Sequence, residues 1–188
     1  MTRLVDTLMG YILRLDMLAV EFVLRLRSPF VTELMNSVTG LGSVSAGLVF
    51  VGLFYLAGWR EEFLTTLFAL SITGVVVAAL MATVQRPFPP QPVCAGGEAA
   101  TTSFPSGHSA AVAAYATIAR SSERLPFVVV AALAVLIAFS RVYLGTHYLS
   151  DTLFGIALGI AAAIAARRLL ERIDVDALLA RLSVDSRI

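Results

Sequence analysis

The chain has 188 residues, of which 58% are apolar and only 14% are charged, and its mean hydropathy is +0.84. Soluble domains carry about 25% charged residues, so this composition excludes an ordinary soluble protein. It predicts an all-α polytopic membrane helical bundle that forms a single domain over residues 1–188. The formal net charge of +1 gives no general attraction for polyanions, and we therefore expect no nucleic-acid partner.

The N-terminal segment, residues 1–30, has apolar residues at helical spacing, which predicts an amphipathic helix. Charged residues interrupt it and make a helix that spans the lipid costly. We expect the segment to lie along the membrane surface and to break near Asp16, with a spanning helix as the alternative. The charged positions behind this expectation are Asp6, Arg14, Asp16, Glu21 and Arg25.

Five apolar segments follow, and each has the character of a membrane helix. They cover residues 44–59, 63–84, 105–119, 126–143 and 146–166. Together with the N-terminal segment they predict about five to six transmembrane helices. The loop 85–104 is rich in proline and glycine, which excludes a regular element, and residues 169–188 predict an amphipathic cytoplasmic tail.

The placement of arginine predicts the orientation. If the five spans alternate in direction, the arginines at positions 60, 120, 124 and 167 lie on one side, which the positive-inside rule makes cytoplasmic. Arg86 and Arg141 then lie on the outer side, next to the two histidines of the chain. We therefore expect an integral protein of the plasma membrane with its active site on the extracytoplasmic face.

The first histidine lies in Phe104-Pro105-Ser106-Gly107-His108, where the loop enters a helix. The N-terminus of a helix binds anions through its unpaired N–H groups, and glycine lets the backbone approach a ligand closely. A histidine at this place can protonate a leaving oxygen near neutral pH.

The second histidine, His147, precedes Asp151 by four residues, one helical turn. On a helix both would share a face, and the carboxylate would hold one ring nitrogen while the other attacks. The planar guanidinium groups of Arg141 and Arg86 suit bidentate hydrogen bonds to phosphate oxygens. Two histidines and an aspartate also suit zinc, but the neighbouring arginines oppose a cation, so we expect metal-free phosphoryl transfer without a cofactor.

The last span carries a stripe of small residues, Gly155, Gly159 and Ala163. Such a stripe is typical of helices that pack closely against a neighbour. We therefore expect it to be structural.

Three motifs together resemble the signature of the type 2 phosphatidic acid phosphatase superfamily, a family of integral-membrane lipid phosphatases. They are Arg86-Pro87, the string from Pro105 to His108, and Ser140-Arg141 followed by His147 and Asp151. The resemblance covers about residues 16–168. Its segment 27–43 is similar to bacterial members that act on phosphatidylglycerophosphate and undecaprenyl pyrophosphate.

The resemblance implies a role for each motif residue. His147 would be the nucleophile that forms a phosphohistidine, Asp151 would orient it, and His108 would be the general acid. The phosphate would be held by Arg86, Ser106, Gly107 and Arg141. The implied substrate is a membrane lipid phosphate in the bilayer: a polyprenyl pyrophosphate, phosphatidylglycerol phosphate or phosphatidic acid.

The chain departs from the family at Ala79, where the first motif has a lysine. This departure leaves open a catalytically weak lipid-binding pseudoenzyme. A lipid-linked phosphotransferase, which would use the same site and pass the phosphoryl group to a second lipid or sugar, is a further alternative. Restoring the lysine is expected to raise kcat. The resemblance also implies a first span that is missing here or reduced to the amphipathic residues 1–27, which would alter the entry of the lipid or favour a homo-oligomer.

Overall fold

The computed structural model describes residues 2–93 and 102–173, and within these ranges the chain is helical and contains no strand. Residues 174–188 of the predicted tail lie outside the described residues, while residues 169–172 continue the last helix. The seven helices are α1 (Thr2–Leu26), α2 (Pro29–Thr39), α3 (Val44–Leu56), α4 (Arg60–Thr83), α5 (Gly107–Ser121), α6 (Phe127–Tyr143) and α7 (Leu149–Arg172).

Helix α1 is continuous, so the predicted break near Asp16 was wrong. The side chain of Asp16 is buried, whereas Leu8, Leu15 and Phe22 are more than half exposed. The helix therefore turns an apolar surface outward and a charged residue inward. A break was unnecessary because Asp16 finds its polar partners in the protein.

By length and composition, fewer of the described helices can span a membrane than the sequence predicted. Helices α4 and α7 are each long and apolar enough to cross a membrane, and α2 and α3 can form a third span bent by 52° around the 3-10 turn Gly40–Gly42. Helix α6 is apolar but shorter. The count of five to six spans stays a prediction.

The outer surface of the bundle is apolar. Val75 on α4 and Val128 and Val135 on α6 are each more than 70% exposed, and many other large apolar side chains share this exposure. A surface of this kind suits contact with lipid and not with water. The helices therefore form a membrane protein.

Helices α5 and α7 pack at the centre, as the stripe of small residues predicted. A Cβ atom on Gly155 would lie 2.4 Å from the backbone oxygen of Ser106, and one on Gly159 would lie 2.0 Å from that of Ala110. Only glycine permits such an approach. This close packing brings the N-termini of α5 and α7 together at one end of the bundle, which we call the histidine end.

Candidate active site

Ser106 and Gly107 form the beginning of α5. The sequence placed the helix start at Pro105, but the structure makes Ser106 the N-cap and Gly107 the first helical residue. The Ser106 Oγ accepts a hydrogen bond from the Ser109 N–H at 3.3 Å. The N–H groups of Gly107 and His108 have no acceptor among the described residues, so they are available to an anion.

His147 lies in the turn between α6 and α7, where it is 7% exposed. Its Nδ1 is hydrogen-bonded to the backbone carbonyl of Ser103. Because a carbonyl oxygen can only accept, Nδ1 carries the proton of the neutral ring. The lone pair is therefore on Nε2, the nitrogen that can attack a phosphorus atom.

Burial, together with the positive charges of Arg141 and His108, lowers the pKa of His147 to about 3. These electrostatic effects show that the two histidines and Arg141 converge on one place. At neutral pH the imidazole of His147 is uncharged. It is thus in the form that a nucleophile requires.

Asp151 does not hold His147, which corrects the predicted pairing. Helix α7 begins at Leu149 with Tyr148 as its N-cap, so His147 precedes the helix, and the two side chains share no hydrogen bond in the described part of the chain. Asp151 instead accepts from the backbone N–H of Tyr148 at 2.9 Å and from Arg86 Nη1. The hydrogen-bond partner of the His147 ring is instead the backbone oxygen of Ser103, which the residue pattern did not indicate.

Arg141 lies at the end of α6 and is 9% exposed. Its Nη1 donates to Thr39 Oγ1 at 2.8 Å, a contact from α2 that the sequence did not indicate. The 3-10 turn after α2 lies against the other histidine, since a Cβ on Gly42 would be 3.2 Å from His108 Cδ2. The segment from α2 to α3 therefore covers one side of the site.

Arg86 lies in the loop after α4 and is held from several directions. Its guanidinium donates to Asp151, to Ser150 Oγ at 2.7 Å and to Asp16 Oδ2 at 2.6 Å, and it lies over the Tyr148 ring at 4.1 Å. Burial disfavours its charge, yet the two carboxylates raise the pKa of Arg86 above its ordinary value. The cation is therefore permanent.

Ala79 is exposed on α4. The residue of α4 that faces the start of α5 is Val77, whose Cγ1 would lie 3.6 Å from a Cβ on Gly107. The position of the missing family lysine is therefore exposed, and the contact of α4 with the start of α5 is made by Val77. Among the described residues, no three His, Cys, Asp or Glu side chains come together as metal ligands.

The site therefore joins a neutral, buried histidine, a second histidine, two arginines and a helix N-terminus. Ser106 N–H donates to the backbone oxygen of Asp151 at 3.2 Å, which ties the first turns of α5 and α7 to each other. This set of groups can bind a phosphate, attack it and protonate the leaving oxygen.

Comparisons with known proteins agree with this chemistry. A family model described as the PAP2 superfamily matches residues 62–174, more than half of the chain. Phosphatidylglycerophosphatase B of Bacillus subtilis (strain 168) is 29% identical over an alignment of 153 residues, and the match covers 72% of this chain and 73% of the relative.

Two crystal structures have similar folds. The first transmembrane PAP2 type phosphatidylglycerolphosphate phosphatase from Bacillus subtilis has a TM-score of 0.68 and 28% identity, with 85% of this chain and 86% of that chain covered. LpxE of Aquifex aeolicus has a TM-score of 0.68 and 22% identity, with 79% and 92% covered; at this identity it supports the fold alone.

Proposed function

The chain belongs to the PAP2 superfamily and is a lipid phosphatase, and we propose that it works without metal through a phosphohistidine on His147. The observation that carries the mechanism is the bond between His147 Nδ1 and the Ser103 carbonyl. This bond leaves Nε2 as the free nucleophile, and the pKa of about 3 keeps it unprotonated.

In the first step Nε2 of His147 forms a bond to phosphorus while the bond from phosphorus to the lipid oxygen breaks. His108 gives its proton to the departing oxygen. In the second step a water attacks the phosphorus, His108 takes back a proton, and the bond between nitrogen and phosphorus breaks. Free phosphate and the dephosphorylated lipid are the products.

The charge on the phosphate oxygens is balanced by Arg141, Arg86 and the N–H groups of Gly107 and His108. Phosphoryl transfer depends mainly on such positioning and electrostatic stabilisation. The two arginines reach the site from the ends of α6 and α4, so the phosphate would bridge elements that are distant in the sequence.

A lipid substrate is supported by the apolar surroundings of the site. A cavity of about 230 Å³ lies between α3, α4, α5 and α6 and is bordered by Leu41 and Ile137, and these flank Gly42, which lies against His108. Such a cavity suits an acyl or prenyl chain and not a sugar or nucleotide.

Among the three implied substrates, phosphatidylglycerol phosphate is the first to test, because both the similar sequence and the similar crystal structure from Bacillus subtilis are named for that activity. A polyprenyl pyrophosphate and phosphatidic acid offer the same terminal phosphate. The terminal phosphoryl group is the same in all three, although it leaves an alcohol oxygen in the two phosphomonoesters and a phosphate oxygen in the pyrophosphate, so the groups that bind it do not distinguish them.

We also place the site on the extracytoplasmic face of the plasma membrane. Arg60, Arg120, Arg124 and Arg167 lie at the opposite end of the bundle from the histidines. The positive-inside rule makes that end cytoplasmic.

The test is phosphate release by purified protein in detergent with EDTA, using the three lipid phosphates in parallel. Release that disappears in His147→Ala and His108→Ala supports the proposal. Loss of phosphate from the lipid without free phosphate, but with a phosphorylated alcohol or second lipid, would identify a phosphotransferase. Lipid binding at one molecule per protein with no turnover of any substrate would identify a pseudoenzyme and overturn the proposal.

A further inference from the structure

Asp16 is a buried carboxylate in a helix that otherwise exposes most of its side chains. It is 1% exposed, and Val20 and Val23 continue the same buried stripe of α1 at 4% and 2%. An ionised carboxylate in a membrane bundle is costly unless it is paired. The contacts of Asp16 must therefore compensate the free-energy cost of burying its charge.

Those contacts all go to the histidine end. Asp16 Oδ2 accepts from Arg86 Nη2 at 2.6 Å and from Ser150 Oγ at 2.7 Å, and Oδ1 accepts from the Ser150 N–H at 2.8 Å. Ser150 in turn accepts from Arg86 Nη1 at 2.7 Å. One carboxylate thus links α1 to the first turn of α7 and to the arginine of the first motif.

The effect on Arg86 follows from the shape of its guanidinium. An arginine beside one carboxylate favours a bidentate pair, which would point two N–H groups at Asp151. Asp16 draws Nη2 in another direction, so Asp151 receives a bond from Nη1 alone. Nε–H and the second Nη2–H then have no acceptor within the described part of the chain, and they are free to meet phosphate oxygens.

We propose that Asp16 is a positioning residue for the phosphatase reaction. It holds the Arg86 guanidinium in an orientation that leaves N–H groups available to the phosphate, and α1 thereby contributes to catalysis. The inference rests on the proposed function, since it assumes that Arg86 contacts the phosphate. Asp16 itself does not touch the substrate. Without its charge, Arg86 turns onto Asp151 and withdraws N–H groups from the ligand.

The first experiment compares Asp16→Asn with Glu21→Gln, a matched loss of one carboxylate at an exposed position of the same helix. Kinetics with phosphatidylglycerol phosphate and melting in detergent are measured for both. Asp16→Asn is expected to lower kcat/KM by about 10- to 100-fold, the size of effect that a misplaced catalytic group produces. Glu21→Gln is expected to leave it unchanged, and equal kcat/KM in both variants would overturn the proposal.

A double-mutant cycle separates positioning from simple stability. If Asp16 acts through Arg86, Asp16→Asn lowers kcat/KM in the wild type but causes little further loss in an Arg86→Lys background. Equal losses in both backgrounds would show that Asp16 only stabilises the fold.

Binding of inorganic phosphate provides a readout that needs no turnover. The Kd for phosphate is measured in the four proteins of the cycle, and the same non-additive pattern is expected. If the wild type hydrolyses no lipid phosphate, the proposed function fails, whereas the phosphate affinities still test the role of Asp16. If the wild type is active and the cycle is additive, the proposed function stands and this inference is wrong.

Discussion

The two ends of the bundle both bury a carboxylate beside an arginine, yet only one of them is equipped for catalysis. At the opposite end Glu62 is 3% exposed and accepts from Ser122 Oγ at 2.7 Å and from Arg124 Nη1 at 3.2 Å. At the histidine end Asp16 and Asp151 share Arg86.

The two ends differ in the polar groups that remain available to bind a ligand. Around Glu62 the polar groups satisfy one another, and Arg124 is half exposed with its charge toward the surroundings. At the histidine end, His147 Nε2 and the first N–H groups of α5 have no hydrogen-bond partner among the residues that the structure describes. A buried ion pair is therefore weak evidence for a functional site, whereas a neutral histidine beside unused donors is strong evidence.

The largest expected contrast comes from removing one buried group at each end. His147→Ala removes the nucleophile and is expected to lower kcat by at least about 10³-fold without a large change in melting temperature. Glu62→Gln is expected to leave kcat/KM within about threefold while it lowers the free energy of unfolding by about 1 kcal/mol through weaker hydrogen bonds. Kinetics and thermal melting in detergent measure the activity and stability of both variants. Equal losses of activity would contradict the difference that we infer between the two ends.

His108→Ala should lower the rate by about 10²- to 10⁴-fold on a lipid phosphate, because an alkoxide leaving group needs a proton. The loss should be much smaller on p-nitrophenyl phosphate, whose leaving group departs without one. Parallel assays with the two substrates check this. The same loss on both would assign His108 to phosphate binding and not to proton transfer.

The pH dependence of kcat/KM should show that the buried His147 does not titrate like an ordinary exposed histidine. With its pKa near 3, His147 stays neutral as the pH falls from 8 to 5, so loss of the nucleophile does not limit kcat/KM of the free enzyme in this range. Since the charge of Arg141 contributes to the low pKa, Arg141→Gln should raise it.

The chain has only two histidines, so NMR titration of labelled imidazole can follow them directly, with His108→Gln to assign the signals. A His147 signal that titrates near pH 6.5 in the wild type would contradict the buried environment.

The smallest kinetic effect is expected from Ala79→Lys. A lysine at this exposed position of α4 is expected to raise kcat by about tenfold or less, below the 10²- to 10³-fold of a well-placed donor. Ala78→Lys, at the neighbouring exposed position, is the control for added charge. An unchanged kcat in Ala79→Lys would show that Arg86 and Arg141 already neutralise the phosphate.

The sequence predicted those parts of the site that depend on short-range pattern. A helix that begins at the Pro105–His108 string followed from Ser106 and Gly107, and the close packing of α5 and α7 followed from Gly155 and Gly159, as the structure confirms. These features are local, because caps and small-residue stripes act within one or two helical turns.

The parts that depend on distant partners could not be predicted. The partner of His147 is a backbone oxygen of Ser103, and a backbone atom leaves no signal in residue type. Asp16 suggested a helix break because its partner Arg86 lies 70 positions along the chain. A charge within an apolar helix was nevertheless the one signal that could have identified this contact.

The most direct test of the account is to trap the phosphohistidine. His108→Ala is mixed with p-nitrophenyl phosphate, which needs no acid to leave, and the reaction is quenched in alkali before intact-mass and peptide analysis. We predict a burst of p-nitrophenol and one phosphoryl group on the peptide that contains His147, with neither in the His108→Ala/His147→Ala double variant. Turnover of p-nitrophenyl phosphate with no burst and no phosphorylated His147 would contradict covalent catalysis at this residue.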